Sequence, residues 1–231
     1  MNYPLISEYI DSIRNAEDNF NELRHLRPVL DDVGNPIMSS GNFAVVFKMT
    51  DGNKNYAIKC FIKDQEGREK AYQEITKFAT EHKPEYFVKF EYKENELFVD
   101  SAQTSRTEFP VLLMDWVEGE TLDKFVRSNI NKEFALQIVY DNFIKLTHYL
   151  LSQSFAHGDI KPDNIIVKPD REIVLLDYDG VYVPAMYGQK AREIGTPDYQ
   201  NPNRSISDFD EHIDDYALIV ICLLLRAVIV D

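Results

Sequence analysis

The chain of 231 residues is long enough for one large domain or for two smaller lobes. Its formal net charge of −14 argues against a nucleic-acid partner, which needs a basic face, and fits either a solvated surface or a preference for basic protein partners. No signal peptide is predicted, because the N-terminus has no positively charged region followed by an apolar one. No membrane span is predicted, because the apolar run of residues 217–230 contains Arg226 and falls short of the roughly 18–20 residues that a span needs. Cys60 and Cys222 have no disulfide or zinc spacing, so we expect a reducing compartment, the cytoplasm.

An N-terminal helix is predicted over residues 5–26, because apolar side chains recur there at helical spacing. The apolar positions are Ile6, Ile10, Ile13, Ala16, Phe20 and Leu23. Pro28 ends the pattern. We interpret residues 1–27 as a helical extension packed on the domain that follows.

A β-rich lobe is predicted for residues 28–116, because short runs of β-branched and aromatic residues alternate with turn signals. The predicted elements are strands at 43–49 and 56–62, a helix at 67–82, strands at 86–92 and 96–99 around a turn at 93–95, and a buried strand at 109–116.

A mostly helical lobe is predicted for residues 117–231. Its elements are helices at 121–128, 131–153 and 213–230, short strands at 164–168 and 172–177, and a long loop over 177–212. The predicted fold class is therefore α+β, with a β-rich lobe followed by a helical lobe and a ligand site expected between the two.

The stretch HGDIKPDN, residues 157–164, places a carboxylate and a carboxamide on one short loop between a long helix and a strand. A further carboxylate, Asp177, follows thirteen residues after Asn164 in LLDYDG. Together with other motifs in the same order, this loop resembles the eukaryotic-like serine/threonine protein kinase family, over residues 37–230.

The resemblance implies a two-lobed protein-kinase-like fold that transfers the γ-phosphate of ATP to a protein Ser or Thr hydroxyl with Mg²⁺. Asp159 would accept the hydroxyl proton, and Lys161 would contact the transferred phosphate. Asn164 and Asp177 would bind the metal, since carboxylate and carboxamide oxygens suit a hard cation.

Motifs of the first lobe imply the nucleotide site. SSGNFAVVFK resembles the glycine-rich phosphate loop, and YAIK resembles the strand that ends in the phosphate-holding lysine, Lys59. Glu74 would pair with that lysine, with Glu69 as the alternative. The remaining residues that the resemblance assigns to the nucleotide are Ser39, Gly41, Phe43, Val46, Ala57, the gatekeeper Met114, the backbone of Asp115 and Val117, and Ile166.

The chain departs from the family pattern in four places. Gly158 replaces the arginine that reads an activation-loop phosphate, so activation by loop phosphorylation is not expected. Asp179 stands where the metal motif has glycine, and its carboxylate could join the metal shell or repel phosphates. Only Gly41 of the three loop glycines is kept. The family's last helices are not found before the sequence ends at Asp231, so we expect a missing segment, a minimal lobe or a partner that covers the final helix.

Two alternatives stay open. The departures at Ser39, Ala44 and Asp179, together with the short C-terminal lobe, would suit a nucleotide-binding pseudokinase or regulatory scaffold. The HGD loop also occurs in small-molecule kinases, although Lys161 and the stretch GTPDY, residues 195–199, favour a protein kinase.

Overall fold

The computed structural model describes residues 2–82 and 84–230. The chain folds into two compact units. The first unit contains the chain up to Glu69 and the segment Lys89–Trp116. The second contains Lys70–Val88 and the chain from Val117 onward. The mixed α+β class predicted from the sequence is confirmed, because the first unit is built on a sheet and the second mainly on helices.

A six-stranded antiparallel sheet forms the first unit. Its strands are β1 (Arg27–Pro28), β2 (Met38–Ser40), β3 (Ala44–Thr50), β4 (Asn55–Phe61), β5 (Phe90–Phe98) and β6 (Glu108–Asp115). They follow the order β1-β3-β4-β6-β5, with β2 paired to β3. The predictions of β3, β4 and β6 are confirmed to within one residue at each end.

The strand register places the predicted nucleotide residues of the sheet on one face. Ser39 lies opposite Val46, Val46 lies opposite Lys59, and Ala57 lies opposite Met114. Directly opposed residues share a face, and so do residues two apart on one strand, such as Ala57 and Lys59. The alternate residues of β3 and β4 therefore point to the other face, where the core of the unit lies.

The prediction of one N-terminal helix is wrong. The structure has α1 (Ile6–Arg14) and a short α2 (Ala16–Asn19), interrupted at Asn15. The Asn15 side chain donates to the carbonyl of Asp11 at 3.1 Å, and asparagine disfavours helix interiors because it competes for such backbone groups. After α2 the chain runs beside β5, with the amide of Asn21 donating to the carbonyl of Glu96 at 2.9 Å.

The predicted packing of this extension is confirmed. Its buried side chains join the core on the face of the sheet opposite Lys59, and Tyr9 donates from its hydroxyl to the carbonyl of Phe61 at 2.7 Å. The extension contributes Tyr9, Ile13, Ala16, Phe20, Leu23 and Leu26 to that core.

The predicted turn at residues 93–95 is also wrong. β5 runs continuously through these residues, and the extra length is absorbed by a register shift between Lys93 and Leu97. The predicted strand at 86–92 starts only at Phe90, since the amide of Leu175 instead donates to the carbonyl of Tyr86 at 2.9 Å within the second unit.

The second unit contains most of α3 (Arg68–His82), together with α4 (Leu122–Ser128), α5 (Glu133–Leu151) and α6 (Asp215–Val230). A small sheet of β7 (Glu120–Thr121), β8 (Ile165–Val167) and β9 (Ile173–Leu175) completes it. Helix α5 packs on α6, and its buried side chains recur at the spacing that predicted it. Among the described residues, no helix is long and apolar enough to cross a membrane.

Candidate active site

The carboxylate of Asp159 lies at the centre of the predicted catalytic loop, between α5 and β8. One of its oxygens is 2.8 Å from Lys161 Nζ and accepts from Asn164 Nδ2 at 3.0 Å. The other accepts from the backbone N–H of Thr196 at 2.7 Å. Three predicted site residues are therefore brought together, since Asp159, Lys161 and Asn164 are in direct contact.

Lys161 connects this loop to the long segment that follows β9. Its ammonium group donates to Thr196 Oγ1 at 2.9 Å while it contacts the Asp159 carboxylate. Thr196 therefore contacts both members of the pair, with its amide on the aspartate and its hydroxyl on the lysine.

The charge states of the pair follow from these contacts. Burial raises the pKa of Asp159, but the hydrogen bond and charge of Lys161 and the amide of Thr196 outweigh it, so that pKa lies below its ordinary value. Burial lowers the pKa of Lys161, but Asp159 outweighs it in the same way and raises that pKa. Asp159 is therefore an ionised carboxylate at neutral pH, the form that can accept a proton.

Asn164 and Asp177 are the predicted metal ligands. The Asn164 amide nitrogen donates to the carbonyl of Asp159 at 2.9 Å as well as to its carboxylate, so the amide oxygen is the atom of this side chain that can ligate a cation. The amide of Leu176 donates to the carbonyl of Asn164 at 2.9 Å and holds the start of the Asp177 segment beside the loop. Asp177 itself has a φ of 70°, a left-handed conformation that a non-glycine residue adopts at a cost.

This donor set fits Mg²⁺, which prefers oxygen ligands and keeps few protein ligands. Within the part of the chain that the structure describes, no group of three or more His, Cys, Asp or Glu side chains could hold a metal ion. Two oxygen donors at this position would therefore need phosphate or water oxygens to complete an octahedral shell.

Asp214 supports the loop from the start of the last helix. Its carboxylate accepts from the backbone amides of His157 at 2.5 Å and Gly158 at 2.8 Å. Burial raises the pKa of this carboxyl, opposed by His157 and the two amides. His157 is fully buried beside Tyr178, and its Nε2 contacts the carbonyl of Leu176 at 2.9 Å, so its side chain has a structural role.

The backbone geometry at position 158 favours glycine. Its φ is 86°, and a Cβ at this position would lie 2.1 Å from the carbonyl oxygen of Gly180. Gly195 approaches from the other side, where a Cβ would lie 2.9 Å from the carbonyl of Gly158. The catalytic loop is thus in close backbone contact with both the metal-motif segment and the segment that contains Thr196.

Arg204 is a supporting residue that the sequence did not reveal. Its guanidinium donates to the carbonyl of Gly158 at 3.1 Å and also to the side chain of Gln200, which is 4% exposed. Burial lowers the pKa of Arg204, although the carboxylates of Asp214 and Asp159 oppose it. No motif marks this arginine, because its role depends on a contact with a loop 46 residues earlier in the chain.

The other predicted site residues lie apart from this cluster in sequence and are divided between the units. Lys59 is 5% exposed on β4, unusual for a lysine, which suggests a specific role for its charge. Ser39, Gly41 and Phe43 are exposed on or beside β2, and Lys63 Nζ lies 5.1 Å from the Phe43 ring centroid. Val117 and Ile166 belong to the second unit, whereas Met114 and Asp115 end β6 in the first.

Glu74 lies half-buried on α3, and Glu69 is exposed in the first turn of the same helix. The partner of Lys59 thus stays a prediction.

Comparison with known proteins agrees with this geometry. A family model described as "Protein kinase domain" matches residues 35–229. The serine/threonine-protein kinase PknA of Nostoc sp. is 38% identical over 79 residues, which is 33% of this chain and 14% of that protein. The serine/threonine-protein kinase PknD of Chlamydia felis is 30% identical over 140 residues, which is 47% of this chain and 15% of that protein.

A longer match is the interferon-induced, double-stranded RNA-activated protein kinase of Rattus norvegicus, 25% identical over 196 residues, or 78% of this chain and 38% of that protein. The chain therefore spans less than half the length of each of these relatives. Since the family model covers most of the chain and its motifs converge on the Asp159 loop, the chain belongs to the protein kinase domain family.

Proposed function

We propose that this domain is an ATP- and Mg²⁺-dependent protein kinase that phosphorylates Ser or Thr hydroxyls. The observation that carries the proposal is the Asp159 carboxylate, which is held ionised by Lys161 and oriented by the backbone amide of Thr196. Phosphoryl transfer requires mainly positioning and charge neutralisation, and this arrangement supplies both.

Asp159 would orient the substrate hydroxyl and accept its proton as the oxygen attacks the γ-phosphorus. Lys161, already bound to Thr196 and Asp159, would hold its positive charge next to the transferred phosphate. Asn164 and Asp177 would hold Mg²⁺, which supplies neutralisation of the phosphate charge when bound. The bond from Asn164 to Asp159 would keep the metal ligand and the base in a fixed relation.

The first unit would bind the nucleotide through the sheet face that contains Val46, Ala57, Lys59 and Met114. The buried ammonium of Lys59 would neutralise phosphates, and the small Ala57 beside Met114 would leave space for the adenine. The backbone of Asp115 and Val117 would pair with the edge of that ring.

The net charge of −14 favours a protein substrate with basic residues near the target hydroxyl, and it disfavours nucleic acid as a partner. We also place the protein in the cytoplasm as part of the proposal, given two cysteines without disulfide spacing.

A wild-type assay with γ-labelled ATP and Mg²⁺ tests the reaction class. It should offer basic proteins, acidic proteins and a panel of small hydroxyl compounds in parallel, and it should record thermal stability with and without ATP. We expect label in Ser and Thr of protein, more in the basic set, and stabilisation by ATP with Mg²⁺. Stabilisation without transfer would instead support a nucleotide-binding scaffold, and label only in small compounds would support a small-molecule kinase.

A further inference from the structure

The acidic residue in the metal motif has a partner on a different element. Asp179 replaces a glycine there, yet its side chain is 5% exposed, and its Oδ1 accepts a hydrogen bond from the Tyr72 hydroxyl. Tyr72 lies on α3, is 1% exposed, and is 107 residues away in sequence. Both residues belong to the second unit.

The backbone around Asp179 is held from further sides. Arg192 donates to the carbonyl of Asp179 at 2.7 Å and to that of Val181 at 3.2 Å. The next residue, Gly180, has its carbonyl against Gly158 of the catalytic loop. These contacts fix the chain on the C-terminal side of Asp177.

The residue between the two aspartates is anchored as well. The Tyr178 hydroxyl donates to the carbonyl of Leu175 at 2.8 Å and accepts from the amide of Val88 at 2.9 Å. Its ring stacks on Phe87 with centroids 4.7 Å apart. Asp177 is thus the half-buried residue of a segment whose next two side chains are directed into the protein.

We propose that Tyr72 is a positioning residue that ties helix α3 to the metal-binding segment through Asp179, and that Asp179 is not itself a metal ligand. The proposal rests on the proposed function, because it takes Asp177 as the ligand that this segment presents. A carboxylate that accepts a buried phenolic hydrogen bond is directed toward that donor. The Asp179 carboxylate thus helps to fix the position of Asp177 instead of binding the metal.

The bond also links two elements that act on the same reaction. α3 also contains Glu74, the predicted partner of Lys59, which is less than one helical turn from Tyr72. The Tyr72–Asp179 hydrogen bond therefore holds the segment next to Asp177 in a fixed relation to α3.

Four variants test the link: Tyr72→Phe, Asp179→Ala, Asp179→Asn and the double variant Tyr72→Phe/Asp179→Ala. The matched control is Tyr140→Phe, a tyrosine on α5. The readouts are the Mg²⁺ concentration that gives half of the thermal stabilisation by ATP, which needs no catalysis, and kcat separately from KM for ATP.

Tyr72→Phe and Asp179→Ala should each raise the Mg²⁺ concentration that gives half of the stabilisation by about 10- to 100-fold. Each should also lower kcat by about 10- to 100-fold, the usual effect of losing a group that orients a metal ligand. The double variant should be no worse than the more affected single variant, because both remove the same bond. Asp179→Asn keeps an oxygen for the Tyr72 hydroxyl and should stay near wild type, as should Tyr140→Phe.

The opposite pattern would overturn the inference. If Asp179 binds the metal, Asp179→Asn loses Mg²⁺ affinity while Tyr72→Phe does not. If the two residues act independently, the single effects multiply in the double variant. Should Tyr72→Phe fail to fold, Asp179→Asn and Asp179→Ala still separate the two cases. A positioning role leaves Asp179→Asn near wild type and impairs only Asp179→Ala, whereas a metal ligand is lost in both. A wild type that neither binds ATP nor transfers phosphate would refute the proposed function itself, which is a different result from variants that match an active wild type.

Discussion

At the scale of single residues, Gly158 shows how closely the catalytic loop is packed. Gly188 offers a matched comparison, because its φ of 78° is also left-handed but nothing lies within 4 Å of its added Cβ. Gly188→Ala should therefore cost only the conformational strain, about 1–2 kcal/mol. Gly158→Ala should cost a further ~1–3 kcal/mol, since its Cβ would meet the Gly180 carbonyl.

Chemical denaturation of both glycine variants measures this difference, and phosphate transfer by Gly158→Ala should fall as Asp159 is displaced. Equal stabilities for the two variants would show that the loop can move away from Gly180. The sequence marked Gly158 only as a missing arginine, because the identity of a residue says nothing about which carbonyl lies next to it.

A second residue-scale prediction concerns pH. The pKa of Asp159 lies below its ordinary value of 3.8, so the stability that its contacts provide is present above about pH 4 and is lost as the pH falls through the lowered pKa. Asp159→Asn removes this titration. The difference in unfolding free energy between wild type and variant should therefore be constant from pH 5 to 7 and shrink below about pH 4.

Of the groups that lower the pKa of Asp159, Lys161 has the largest effect. In Lys161→Met, burial would no longer be opposed by the lysine, and the acid limb of the kcat/KM profile should move to higher pH. An acid limb that stays in place while the rate falls would mean that Asp159 is not the titrating base.

At the scale of elements, the N-terminal extension is part of the core of the first unit rather than an appendage. Tyr9 is fully buried and bonded to Phe61, so Tyr9→Ala should destabilise the protein by about 3–5 kcal/mol, as for other buried aromatic side chains. Phe134→Ala, at a site that is 80% exposed, should change stability by no more than about 0.5 kcal/mol. Denaturation midpoints of the two variants check this, and similar values would contradict the packing.

Elements with a strong local pattern could be predicted from the sequence. The hairpin of β3 and β4 and the helices α3, α5 and α6 lie close to their predicted bounds, because their periodicity reflects burial on one side. The break at Asn15 and the continuous β5 were missed. The apolar stripe of residues 5–26 does not show that Asn15 interrupts the helix through its own side chain, and the register shift that keeps β5 continuous depends on pairing with β6, which local patterns do not encode.

At the scale of the whole molecule, the order of the motifs predicted the family, and the matched family model agrees. The catalytic-loop residues could be predicted because they lie within a few positions of each other. The contacts of Tyr72 with Asp179 and of Arg204 with Gly158 could not, since each joins distant segments that meet only in the folded unit. These long-range contacts hold the segments on both sides of the site in a chain that has Gly158 instead of an arginine before Asp159.

The most direct test of the central claim is the initial rate of phosphate transfer from labelled ATP to a basic protein by wild type and by Asp159→Asn. Asp163→Asn is the matched control, an exposed aspartate on the same loop. Loss of a general base predicts a fall of about 10²–10⁴-fold in Asp159→Asn with nucleotide affinity unchanged, and little effect in the control. Equal rates for wild type and Asp159→Asn would contradict the assignment of Asp159 as the catalytic base.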